Sequence, residues 1–100
     1  MVGGWYIGDF EPSAYKTNSF EASLKFHPKG EIWPKHYHKE AIEINLVVSG
    51  KMEINGTLLK EGDIFVINKM EIVDPTFLEN CSIVCIKTPS VVGDKYIVGR

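Results

Sequence analysis

The chain has 100 residues, with 11 basic against 13 acidic side chains and a formal net charge of -2. This length allows one hydrophobic core but not a second beside it, which predicts a single domain over residues 1–100. The charge and the lack of a long basic run argue against nucleic acid and an anionic membrane surface as partners. No apolar run approaches the roughly 20 residues that span a bilayer. Because the first residues do not resemble a secretory signal and two cysteines make no disulfide framework, we expect a cytoplasmic protein.

Short runs rich in Val, Ile, Thr, Tyr and Phe recur along the chain between Gly, Pro and Asn residues, which is typical of an all-β protein. The strands that this pattern predicts, in chain order, are 23–27, 43–48, 51–54, 57–60, 64–67, 82–88 and 97–98. Asn55-Gly56 predicts a type I′ hairpin, which needs positive φ at both central residues. Strand spacing suggests about eight to ten strands, arranged as a closed or double-sheet structure with an interior pocket.

The segment from Gly30 to Gly50 carries three side chains that could hold a divalent metal ion. In a strand, His36 and His38 project from the same face because side chains alternate with a period of two. Glu43 lies at an odd offset from His38, so it can join them only if the chain bends within residues 39–42. Two imidazoles and one carboxylate leave coordination positions open, an arrangement compatible with iron, manganese, nickel, cobalt or zinc.

The strand that follows Glu43 is apolar on both faces. Asn45 and Val47 share the parity of Glu43, and we expect them to line the pocket, where Asn45 would hydrogen-bond to a ligand. The other parity within 44–48 is just as apolar and must be covered by a second layer or by another subunit. We therefore expect a homodimer.

The spacing of these residues resembles the first conserved motif of the cupin superfamily. Gly30, five residues, His36, one residue, His38, four residues, Glu43, six residues and Gly50 match that motif without a mismatch. The resemblance implies a double-stranded β-helix, the conical jelly-roll barrel of the small RmlC-like cupins, with a metal at its centre. It also implies a homodimer. In the family, the two histidines and the glutamate of this motif bind the metal together with a third histidine from a second motif.

The second cupin motif is degenerate in this chain. Only its leading glycine, Gly62, is present, and Val73 stands where the family has the third histidine. Val73 is therefore expected at the pocket. Asp74 lies beside this place and could serve as a fourth ligand through a register shift, although an Asp before Pro75 is more often a turn residue.

Three functions remain open, each with a small-molecule ligand as the partner. The first is a small metal-binding cupin that acts on a small oxygenated or sugar-like compound, as an isomerase or epimerase or as a dioxygenase. The second is a non-enzymatic module that binds a small carbohydrate or carboxylate, with or without a metal, and the missing third histidine favours it. The third is a metal-free epimerase with His36 or His38 as its base. The single arginine, Arg100, argues against a diphosphate substrate.

Overall fold

The computed structural model describes residues 4–91 and 93–98, and Arg100 lies outside them. Within these residues the chain forms strands and no α-helix, so the all-β prediction is confirmed. The eleven strands are β1 (Trp5–Gly8), β2 (Tyr15–Lys16), β3 (Glu21–His27), β4 (His36–Tyr37), β5 (Ile42–Ser49), β6 (Lys51–Ile54), β7 (Thr57–Lys60), β8 (Ile64–Ile67), β9 (Pro75–Phe77), β10 (Cys81–Thr88) and β11 (Tyr96–Ile97). Across the described ranges, no helix is long and apolar enough to cross a membrane.

The strands form three sheets. The largest has the order β2-β1-β3-β10-β5-β8, a second has the order β7-β6-β9, and β4 pairs with β11. All pairs are antiparallel except β1 with β2. Three of the strands have only two residues, too few to show an alternating pattern, which explains why the structure has more strands than the sequence suggested.

The predicted hairpin joins β6 and β7. Asn55 has a φ of 50° and Gly56 a φ of 87°, and the pairing of Ile54 with Thr57 closes the turn. Positive φ at both central residues is what a type I′ turn requires, so this prediction is confirmed.

Gly50, which ends the first cupin-like motif, makes the tight turn from β5 to β6. Its φ is +93°, and an added Cβ would lie 2.2 Å from the carbonyl oxygen of Asn80. Only glycine fits this combination of left-handed backbone and close approach.

Strand β10 lies between β3 and β5. A residue of β10 that faces the barrel interior is therefore paired with one residue of β3 and one of β5, and the three side chains form a row. Cys85 is paired with Ser23 on one side and with Asn45 on the other. In the next row, Lys87 is paired with Glu21 and Glu43. Deeper in the barrel, the buried apolar core consists of Val47, Met52, Leu59, Phe77, Cys81 and Ile83.

Candidate metal centre

His36, His38 and Glu43 converge in the barrel interior. Their possible ligand atoms all lie within 4.8 Å of one another, and His38 Nε2 is 3.5 Å from Glu43 Oε2. Donor atoms that share an ion at about 2.0–2.2 Å lie roughly 3–4 Å apart, so small side-chain rotations would suffice to close the group around a metal. Both histidines are buried, and the Glu43 side chain is 13% exposed. The structure thus brings together the three residues that the sequence selected, in a geometry that fits a metal ion.

The chain bends between β4 and β5, within the segment where the parity argument requires it. The Asp94 carboxylate accepts backbone hydrogen bonds from three consecutive residues, Lys39 at 2.9 Å, Glu40 at 3.1 Å and Ala41 at 2.9 Å. This clamp holds residues 39–41 in the bend between β4, which ends at Tyr37, and β5, and it lets Glu43 face the same interior as the histidines.

Asp94 is therefore a positioning residue that the sequence analysis missed. Burial alone would raise the pKa of its carboxyl, but the backbone donors outweigh burial and hold this pKa below its ordinary value of 3.8. Asp94 is more than 50 residues away from the segment that it clamps, and no local pattern predicts such a contact.

Both histidines are held in the neutral form that metal binding needs. Burial is the main cause that lowers the pKa of His36 and of His38, and it outweighs the attraction of the Glu43 carboxylate. His36 Nδ1 lies 3.0 Å from the carbonyl oxygen of Pro34, which can only accept. The proton of the neutral His36 ring is thus on Nδ1, and the lone pair of Nε2 is free to bind an ion.

Asn45 orients the Glu43 carboxylate. Its Nδ2 donates to Glu43 Oε1 at 3.1 Å, while the other carboxylate oxygen faces His38. Asn45 is buried and lines the same cavity. The hydrogen bond leaves one Glu43 oxygen directed toward the imidazoles.

The structure places three further residues that the sequence selected. Val73 is buried, lines the cavity and exchanges two backbone hydrogen bonds with His36. Val47 is fully buried and belongs to the apolar core. Asp74 is exposed, and its backbone pairs with Asn55 of the hairpin.

The cavity around the three residues has a volume of about 190 Å³. Aromatic side chains form much of its wall, and His27 stacks on Phe77 at 4.4 Å between ring centroids. His27 Nδ1 is 2.6 Å from Glu31 Oε1, which also accepts from Trp33 Nε1.

Burial raises the pKa of the Cys85 thiol, and the neighbouring Glu43 carboxylate adds to the effect, so Cys85 faces the cavity as a neutral thiol.

No protein-family model matches the sequence, and no curated protein matches it. Solved structures do match. A conserved protein with a double-stranded β-helix domain from Klebsiella pneumoniae is 23% identical, with a TM-score of 0.74 over 84% of this chain and 74% of that one. An RmlC-like cupin from Ralstonia eutropha is 15% identical, with a TM-score of 0.63 over 83% of this chain and 58% of that one. The chain is thus a small cupin-fold domain, as the resemblance implied.

KdgF from Halomonas sp. has the same architecture. It is 24% identical to this chain, with a TM-score of 0.67 over 75% of this chain and 74% of KdgF. At this level of identity the similarity establishes the fold, and the activity must be argued from the cavity itself.

Proposed function

We propose that the protein is a small metal-binding cupin that acts on a small oxygenated or sugar-like compound, as an isomerase or epimerase or as an oxygenase of the dioxygenase type. The observation that carries this proposal is the convergence of His36, His38 and Glu43 on one point of the cavity. When bound there, a divalent ion such as iron, manganese, nickel, cobalt or zinc supplies Lewis acidity toward an oxygen of the substrate.

The protein side of this chemistry follows from the local contacts. His36 and His38 are neutral donors, and Asn45 keeps Glu43 turned toward them. Three protein donors leave coordination positions open for the substrate. The apolar and aromatic side chains around them, among them Phe65 and Phe77, exclude water from the bound compound and strengthen the electrostatic interactions at the site.

A second candidate is a non-enzymatic module that holds a small carbohydrate or carboxylate in the same cavity, with or without a metal. The observation in its favour is Val73, whose apolar side chain lines the cavity where the family motif places a third histidine. A site with fewer ligands binds metal less tightly, which suits a role in which the ion is dispensable.

Metal analysis of the purified protein tests the proposal. We expect about one equivalent of a divalent transition metal after purification or after loading with each candidate ion, measured by mass spectrometry. The double variant His36→Ala/His38→Ala should lose it. His27→Ala is the matched control, because His27 is a buried histidine of the same cavity that does not belong to the converging group.

Circular dichroism and thermal unfolding establish that each variant is folded. A folded wild-type protein that takes up none of the five metals would contradict the metal site and favour the binding module. Full metal occupancy in the folded double variant would show that the ion binds elsewhere.

A further inference from the structure

The cavity carries positive charge in a chain whose net charge is negative. Among the described residues of its wall, three lysines, Lys25, Lys87 and Lys95, accompany a single carboxylate, that of Glu43. Lys25 lies on β3, Lys87 on β10, and Lys95 directly before β11. These three strands bring the ammonium groups to one region of the wall, although the residues are far apart in sequence.

Two of these lysines have no carboxylate partner within the part of the chain that the structure describes. Lys87 Nζ lies 3.5 Å from Glu21 Oε1, whereas Lys25 and Lys95 form no such pair within 4.0 Å. Their ammonium groups instead lie 5.5 Å and 4.2 Å from the ring centroid of Trp33. Two like charges that share one indole repel each other. The pKa of Lys95 is lowered by burial first and then by the charge of Lys25.

Ser23 adds a hydrogen-bond donor to the same wall. It is fully buried, it lines the cavity, and its hydroxyl has no hydrogen-bond partner among the described residues. Buried hydroxyls are nearly always hydrogen-bonded, so an orphaned one that faces a cavity indicates an absent partner. Ser23 and Lys25 are two residues apart on β3 and therefore face the same side.

We infer that Ser23, Lys25 and Lys95 form a carboxylate-binding subsite, so that the ligand of this cavity is a small carboxylic acid that carries further oxygen groups. A carboxylate is an acceptor only, and it matches a hydroxyl donor and two ammonium donors that lack an anion. Lys87 lies in the same row of the sheet as Glu43, and Ser23 lies in the neighbouring inward-facing row, with Cys85 and Asn45. The inference deepens the proposed function and rests on it, because it concerns the same cavity.

The dimensions of the barrel agree with such a ligand. Strands β3 and β5 are separated only by β10, which places them about 10 Å apart. Along the strands, Ser23 is level with Asn45, about 7 Å from Glu43, and Lys25 is level with Val47, about 13 Å from it. The long lysine side chains reduce the gap that the ligand must bridge between the subsite and His36, His38 and Glu43. A compound of a few carbon atoms fits the cavity volume of about 190 Å³ and can present its carboxylate to the lysines and a hydroxyl or carbonyl oxygen to the metal centre.

Tryptophan fluorescence can test this subsite directly. The chain has two tryptophans, and both Trp5 and Trp33 line the cavity. We would titrate the protein with lactate and with lactamide, its neutral counterpart, in the presence of a chelator and again in the presence of Mn²⁺. Lactate should change the fluorescence saturably, with an affinity roughly tenfold or more above that of lactamide.

The double variant Lys25→Gln/Lys95→Gln should weaken lactate binding by roughly tenfold or more. Its matched control is Lys60→Gln/Lys69→Gln, which removes the same charge from exposed positions outside the cavity wall and should change the affinity less than about twofold.

Ser23→Ala provides a second, independent variant. Because the Ser23 hydroxyl has no hydrogen-bond partner among the described residues, its replacement by alanine should leave the melting temperature unchanged or raise it. We expect this thermal behaviour together with a several-fold loss of lactate affinity. Unchanged lactate binding in both Ser23→Ala and the lysine double variant would overturn the inference. Equal binding of lactate and lactamide would also overturn it, as would binding of inorganic phosphate but not of lactate.

Metal content separates this inference from the proposed function. Lysine-dependent lactate binding by a protein that takes up no metal would refute the metal centre and support the subsite. Normal metal uptake without lysine-dependent lactate binding would support the metal centre and refute the subsite. The lysine variants themselves should retain the metal content of the wild type.

Discussion

A single amide, that of Asn45, decides how Glu43 presents its carboxylate to the histidines. Asn45 is buried beside Glu43 and donates to one of its oxygens at 3.1 Å. Residues that hydrogen-bond to a metal-binding side chain commonly affect metal affinity as strongly as some of the metal-binding residues do. They do so because they fix the direction of the lone pairs that bind the metal.

Asn45→Ala should therefore lower metal affinity by about 10- to 100-fold while the barrel stays folded. Calorimetric titration with Mn²⁺, or competition with a chromogenic chelator, measures the change. Asn68→Ala, at an exposed asparagine outside the cavity, is the control. An Asn45→Ala protein with wild-type metal affinity would mean that Glu43 needs no second partner or is not a ligand.

The residues of the site differ in how far the sequence could predict them. His36, His38 and Glu43 follow from short spacings and from the alternation of side chains, which are local properties of the chain. Lys25 does not, because Leu24 and Phe26 make the opposite face of β3 look like the buried one. In the structure these two apolar residues are 53% and 63% exposed, and Lys25 faces the cavity.

At the scale of elements, the bend between β4 and β5 depends on the Asp94 clamp. Asp94→Asn keeps the shape of the side chain but replaces one acceptor oxygen with a donor group that opposes the backbone N–H groups. We expect a loss of about 2 kcal/mol in the free energy of unfolding at neutral pH, since hydrogen bonds to a charged acceptor are among the stronger ones. Urea unfolding measures it. Asp74→Asn, at an exposed aspartate outside the cavity, should have little effect.

The sign of the pH dependence follows from the lowered pKa of the Asp94 carboxyl. A carboxyl with a lower pKa in the folded state stabilises the fold above its unfolded-state pKa and loses this contribution as pH falls through the folded-state pKa. The stability difference between wild type and Asp94→Asn should thus be full at pH 7 and should shrink below about pH 4. A difference that stays constant down to pH 2 would contradict the clamp as an ionised carboxylate.

Elements defined by local chemistry were the ones that the sequence predicted best. Asn55-Gly56 predicted its hairpin because the turn geometry depends on two adjacent residues. The pairing of β4 with β11, by contrast, joins Tyr37 to Tyr96 and shows no local pattern, since each strand has two residues. The cupin-like motif predicted the barrel as a whole, and the similarity to solved double-stranded β-helix structures confirms it.

At the scale of the whole molecule, the outer face of the six-stranded sheet is apolar and exposed. The row that crosses β3, β10, β5 and β8 consists of Leu24, Val84, Leu46 and Ile64, paired in register. The large apolar residues exposed on this face are Leu24, Phe26, Ile44, Leu46, Val48, Ile64, Val66 and Ile86, with exposed fractions of 36–65%. A contiguous apolar surface of this extent is typical of an interface.

We propose that a second copy of the chain covers this face. With roughly 200 Å² for each fully exposed large apolar residue, the exposed fractions correspond to about 780 Å² in total. A stable protein–protein interface buries about 800 Å² on each partner, so the patch alone is close to what a dimer needs. Since the patch is self-complementary in its chemistry and lies on the sheet face opposite the cavity, two copies that pack through it leave the cavity open.

Sedimentation equilibrium should therefore find a dimer at micromolar concentration. Leu46→Glu should convert it to a monomer, because the new carboxylate would be buried without a partner near the middle of the patch. Ile32→Glu is the matched control, since Ile32 is 91% exposed and lies in the loop between β3 and β4, and it should leave the dimer intact. A wild-type monomer would contradict this packing. A Leu46→Glu dimer as stable as the wild type would also contradict it, because a buried charge cannot be tolerated in an apolar interface.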